Sequence, residues 1–214
     1  MQRKRKNIET GTGKWNCTKK QDARDSCIIK SFQALHGLSA IPDDKQYWTL
    51  SGICEDDKKI AENSELHQLL EAKFLTRSQF YGVDFDQKVY EKNRHIKKCT
   101  WIYGDFVKTL YDYYREGNFN PGVINFDSTQ TPKVISHDFG KILHLLNIMK
   151  EDGVMVVVTA MCSGRGLESK SPFDDLISTP LAKVAYDEGW CVSNYYHYKR
   201  EKGKFNMVML CFFK

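Results

Sequence analysis

A few acids and their neighbours stand where chemistry can be done. Asp84 and Asp86 follow the stretch Phe80-Tyr81-Gly82-Val83. A carboxylate placed there can accept hydrogen bonds from both hydroxyls of a ribose, a bidentate contact that fixes a nucleoside. It can equally cap a helix and favour its dipole. Asp105 closes Tyr103-Gly104-Asp105-Phe106. It can accept from an exocyclic amine of adenine, or cap the next helix. Phe85 and Phe106 flank these acids, and either ring can lie on an adenine face or belong to the core. Asn125 and Asp127 end the run Val123 to Asp127. Amide and carboxylate groups there can orient a nucleophile or take its proton, with Asp127 the first candidate and Asn125 the second. Asp-Ser-Thr before Thr131-Pro132 is also ordinary turn chemistry.

Other chemistries find less support. His36, His67, His95, His137, His144 and His197 are scattered, and no metal constellation stands out. The cysteines, seven in all, show no Cys-x-x-Cys spacing. They read as small buried apolar residues and free thiols of a reducing compartment, which predicts a cytoplasmic protein. The first six residues are Met-Gln-Arg-Lys-Arg-Lys with no apolar stretch behind them, unlike a secretory signal. No apolar run is long enough to cross a bilayer.

The chain is basic, with a net charge of +5. Much of the excess lies in Arg3, Lys4, Arg5, Lys6, Lys14, Lys19 and Lys20. Such an arm attracts nucleic acid by counterion release, or is simply a solvated tail. At 41% hydrophobic and 13% aromatic residues, the chain has enough apolar material for a core.

The candidates must be held by regular elements. Residues 1–16 show no periodicity. Ile28, Phe32 and Leu35 recur at helical intervals, predicting a short amphipathic helix over 18–36 that Gly37 ends. Residues 1–45 are thus an arm plus a helix, set before a domain at 46–214. Strands are predicted around Tyr47 to Gly52, Phe80 to Asp84, Cys99 to Tyr103, Val123 to Phe126 and Val154 to Val158. The last is an apolar run typical of a strand buried on both faces. Helical stripes fall between them, with Leu66, Leu69 and Phe74 in one and Ile135, Phe139, Ile142 and Leu146 in another. This alternation predicts an α/β fold with a doubly wound, mostly parallel sheet and helices on both faces. Leu181, Val184 and Ala185 suggest a further helix. Cys191 to Tyr198 and Asn206 to Phe213 then read as a closing antiparallel hairpin about Arg200 to Lys204, seven strands in all. In such a sheet ligands lie beyond the carboxyl ends of the strands. Ser51 and Gly52 join the candidates there, beside the acids.

Taken together, these residues resemble the class I S-adenosylmethionine (SAM)-dependent methyltransferases over roughly residues 46–214. The resemblance rests on the alternating elements, the acid in Tyr81-Gly82-Val83-Asp84, Gly104-Asp105 after the third strand, the Asn125 to Asp127 turn after the fourth, and the terminal hairpin. It implies a SAM site over the first strands. Ser51 and Gly52 would meet its methionine end, Asp84 and Phe85 its ribose and adenine, and Asp105 and Phe106 its adenine. The family's Asn- or Asp-Pro-Pro motif of amino-group methylation is missing. So is its glycine-rich first turn, since Thr49-Leu50-Ser51-Gly52-Ile53-Cys54 keeps one glycine and has Thr49 in place of an acid. The resemblance implies methyl transfer to an unidentified acceptor, nucleic acid among the choices. The rival reading is an inactive methyltransferase-like interaction or nucleic-acid-binding module. The Met161 to Pro180 loop, with Arg165 and Lys170, is a candidate substrate lid. Tyr195, Tyr196, His197, Tyr198 and Lys199 offer stacking and charge to a nucleic acid, or packing to the hairpin.

Overall fold

The run from Met155 forms the buried middle of the sheet because its side chains are apolar on both faces. A computed structural model describes residues 18–56, 59–62, 64–128, 130–151, 153–162, 180–199 and 206–214. Its strands are β1 (Gln46–Leu50), β2 (Glu55–Asp56), β3 (Lys59–Ile60), β4 (Phe80–Asp84), β5 (Thr100–Tyr103), β6 (Pro121–Asp127), β7 (Met155–Cys162), β8 (Cys191–Lys199) and β9 (Asn206–Phe213). Its helices are α1 (Thr18–Arg24), α2 (Ser31–His36), α3 (Glu65–Glu71), α4 (Gln87–Asn93), α5 (Phe106–Arg115), α6 (Pro132–Met149) and α7 (Pro180–Asp187). A π-helical turn, Asp25–Lys30, joins α1 to α2.

Seven strands form one sheet in the order β5-β4-β1-β6-β7-β9-β8. It is parallel from β5 to β7, and β9 runs antiparallel between β7 and β8. Numbered by chain order within this sheet, the strands read 3-2-1-4-5-7-6. A dinucleotide-binding Rossmann sheet reads 3-2-1-4-5-6 and stays parallel. The order reverses between β1 and β6, so a crevice opens at their carboxyl ends. The fold class expected from sequence is the one observed.

Each face has its own core. Trp48, Ile124, Val156 and Leu210 face α5, α6 and α7, where Leu110, Phe139, Ile142 and Leu181 are buried. Tyr47, Phe80, Val123 and Val157 face the other way, under Ile28 and Phe32 of the N-terminal helical segment and Leu66 and Leu69 of α3. The helical segment stops where expected, at Gly37, whose φ of 66° suits a residue without Cβ. The π turn explains why three successive residues, Cys27, Ile28 and Ile29, are all buried. The Ser26 carbonyl beside it accepts from Ser31 Oγ at 3.1 Å and from Asn194 Nδ2 of β8 at 3.1 Å. Such turns occur where a side chain or function holds them.

Candidate active site

One end of the candidate site is built by β4 and β5. Asp84 ends β4 half-buried, and its Oδ1 accepts from the Asp86 backbone N–H at 2.7 Å. Burial pushes its carboxyl from an ordinary 3.8 up to about 6, against the stabilising Asp86 N–H, with the Asp86 carboxylate adding repulsion. Asp86 itself caps α4, accepting from Lys88 N–H at 2.9 Å. Between them Phe85 projects with 68% of its surface exposed. Tyr103 of β5 lies opposite Asp84 in register and is 55% exposed. Sequence reasoning passed over Tyr103, although a large aromatic on the last residue of a strand was the available signal. Asp105 caps α5 through Lys108 N–H at 2.8 Å. Phe106 lies in the core, its ring stacked on Phe126 at 5.6 Å. Of the two phenylalanines, only Phe85 offers its face to solvent.

The turn after β1 takes a longer route than a glycine-rich turn. Ser51 is buried, and its hydroxyl lies 3.4 Å from Cys54 Sγ. Asn93 of α4, also buried, donates from Nδ2 to the Gly52 carbonyl at 2.9 Å, and its Oδ1 accepts from the Cys54 N–H at 2.8 Å. That pair of bonds pins the segment, and the small β2–β3 ladder follows. A Cβ added at Gly52 would meet nothing within 4 Å, so open space lies above this backbone. Burial pushes the Cys54 thiol up to about 11, which keeps it protonated and unreactive at neutral pH.

The opposite end of the crevice holds a charged cluster that the sequence did not announce. Lys20 Nζ of α1 lies 2.6 Å from Asp127 Oδ2 at the end of β6. One turn on, Arg24 lies 3.5 Å from Glu65 Oε2 and 3.9 Å from Asp127 Oδ2. Glu65 opens α3 and is buried; its Oε1 accepts from Tyr47 Oη at 2.5 Å and from Asn125 Nδ2 at 2.9 Å. Spacing of four residues puts both cations on one face of α1. Desolvation opposes the Arg24 charge, but Glu65 and Asp127 outweigh it, and its pKa is raised. Burial, then Glu65, pushes the Tyr47 phenol well up, so it remains a donor. Two cations and two carboxylates balance, which is how buried charges become tolerable. On adjacent strands nearby, Thr49 Oγ1, Asn125 Oδ1 and Thr159 Oγ1 are buried without a hydrogen-bond partner among the described residues.

The structure therefore brings Ser51, Gly52, Asp84, Phe85, Asn125 and Asp127 to the carboxyl ends of adjacent parallel strands. It adds Tyr103, Lys20, Arg24, Glu65 and Asn93. Among the described residues no group of His, Cys, Asp and Glu could hold a metal. Cys27, Cys54 and Cys211 are buried free thiols. Tyr198 packs in the core, and Tyr195 and Tyr196 lie half-buried against it. The basic arm at 1–16, most of the 161–180 loop and the hairpin turn at 200–204 lie outside the described residues. No described helix is long and apolar enough to cross a membrane.

No protein-family model matches the sequence, and no curated protein matches it. Solved structures do match. The glycopeptide N-methyltransferase MtfA, solved with SAM, is 11% identical with a TM-score of 0.50, over 88% of this chain and 94% of that one. Fibrillarin from Aeropyrum pernix, solved with natively bound SAM, is 15% identical with a TM-score of 0.49, over 85% and 73%. The M1A22 tRNA methyltransferase TrmK of B. subtilis is 12% identical with a TM-score of 0.46, over 87% and 67%. At such identities the likeness to MtfA is one of fold. With the 3-2-1-4-5-7-6 strand order, it shows that this chain has the Rossmann-like fold of the class I SAM-dependent methyltransferases.

Proposed function

We propose that the chain is a SAM-dependent methyltransferase of the cytoplasm acting on nucleic acid. The observation that carries this reading is the carboxyl end of β4. There a half-buried carboxylate, Asp84, sits beside the exposed ring of Phe85, with Tyr103 next in register. An exposed aromatic beside a partly desolvated acid is costly for folding alone and suits a nucleoside. The open space above Gly52, with Asn125 Oδ1 and Thr159 Oγ1 lacking partners among the described residues, fits a polar ligand lying along the strand ends.

In this arrangement Asp84 accepts the ribose hydroxyls and Phe85 covers the adenine. Ser51 and Gly52 line the methionine end through their backbone. Asp105 is committed to its helix cap, so its share in adenine binding is through the chain direction it fixes. Phe106 supports the site from the core. SAM, when bound, supplies an electrophilic methyl on sulfur. The protein's task is alignment and exclusion of water. Asp127 meets the acceptor, while Asn125 is wholly buried and acts through Glu65. Asp127 is ion-paired with Lys20, so it orients or deprotonates an acceptor only after exchanging that partner. Lys20 and Arg24 thus hold the carboxylate in place until the acceptor arrives.

The test is methyl transfer from radiolabelled SAM to RNA and DNA pools. Asp127→Ala is expected to keep SAM affinity while losing most turnover. Full activity in that variant rejects the role. The second reading, an inactive module that grips nucleic acid, is favoured by one feature: Asn93 pins the β1 segment away from a glycine-rich path.

A further inference from the structure

A second concavity lies on the α3 side of the sheet, away from the acids at the strand ends. It encloses about 780 Å³ between β3, α3, the turn at Arg77–Gln79 and the segment before β5. That volume lies within the range of ligand clefts, about 300–1,000 Å³. Its floor is apolar, made by Ile60, Leu70 and Ile96. Its rim is cationic. Lys59, Arg77 and Lys97 line it, and among the described residues none of the three has a carboxylate within ion-pairing distance. His67 and His95 add two imidazoles. The lining acid is Glu71, 3.8 Å from His67 Nδ1. Elsewhere on the surface, cations such as Lys30, Arg115 and Lys141 do have carboxylate neighbours. The segment entering the cleft, Arg94 to Lys98, is also the most basic run among the described residues, with Lys98 exposed beside Lys97.

We infer that this cleft binds single-stranded nucleic acid. An apolar floor beneath a cationic rim matches a phosphodiester chain whose phosphates meet the rim while unstacked bases and sugars lie on the floor. A duplex keeps its bases stacked inside and has no such surface to offer. The segment that departs from the family's short glycine turn supplies one wall, through Lys59 and Ile60. The departure thus has a use of its own, because it lines the cleft. The inference rests on the reading of nucleic acid as partner, and not on methyl transfer.

The experiment measures binding of a fluorescein-labelled twelve-residue oligouridylate to the full chain by anisotropy across a salt series. Arg77→Glu with Lys97→Glu is compared with Lys133→Glu with Lys183→Glu, which makes the same change of net charge on α6 and α7. All four side chains are exposed, so folding is retained, and circular dichroism checks it. The cleft variant is expected to bind at least tenfold more weakly. Its plot of log affinity against log salt should flatten by about 1.4, because two phosphates are no longer neutralised. The control should stay within about threefold of the native chain. Equal losses in both variants, no loss in the cleft variant, or no binding by the native chain overturns the inference. SAM titration of the same variants separates the two proposals. Native affinity for SAM with lost oligouridylate binding supports the cleft, and absence of SAM binding with oligouridylate binding intact removes the methyltransferase reading alone.

Discussion

Asp84 carries the most weight at the scale of single residues. Its carboxyl is raised to about 6 by burial, so the folded chain holds this proton more tightly than the unfolded chain does. Between pH ~4 and ~6 its contribution to stability therefore falls as pH rises, and above that window the ionised group is a standing cost. Asp84→Asn keeps the acceptor for Asp86 N–H and removes the cost. At pH 7.5 its thermal midpoint should equal or exceed that of the native chain, while SAM affinity drops by about 1.5–3 kcal/mol, roughly ten- to a hundredfold. A lower midpoint with unchanged affinity would make Asp84 a structural acid. Such a trade of stability for binding marks a functional position. The place of Asp84 and Phe85 at the end of β4 was legible because a strand ending in an acid is a local pattern. Asp105 and Phe106 had the same local look, yet one caps α5 and the other stacks on Phe126. Local pattern does not tell which side of a strand end faces the crevice.

At the scale of elements, the strands and helices were legible because their periods are strong. The hydrophobic stripe of α6 and the apolar run of β7 each appear where their periodicity places them. What stayed hidden is how α1, α3, β1 and β6 meet. Lys20 and Arg24 are far from Glu65 and Asp127 in sequence, and no period records such contacts. Asn93 is similar: a polar residue at the end of α4 carries no sign that it will bind Gly52 and Cys54, which are far from it in sequence. Glu65 is the point where the four elements join, since Tyr47, Asn125 and Arg24 all reach it. Glu65→Ala takes one of two carboxylates from a buried guanidinium and the acceptor from two polar groups. It should cost about 3–5 kcal/mol of stability, measured by urea unfolding. A loss under about 1 kcal/mol would mean that water replaces the carboxylate and the cluster is not a clamp.

At the scale of the whole molecule, the basic excess and the sheet order bear on partners and cofactor. If the arm contributes to nucleic-acid binding, deleting residues 1–16 should weaken oligouridylate binding and flatten its salt dependence; an unchanged titration assigns binding to the folded domain alone. The closing hairpin was readable from the short polar stretch between the last two strands, but the insertion of β9 between β7 and β8 was not. That order places β1 and β6 side by side with their polar ends on one edge, and the claim of a nucleoside cofactor rests on this edge. Calorimetric titration of the purified full chain with SAM and with S-adenosylhomocysteine decides that claim. Saturable one-to-one binding of at least one of them is expected at micromolar ligand, weakened roughly ten- to a hundredfold in Asp84→Asn; absence of binding at millimolar ligand would contradict a nucleoside site at this edge.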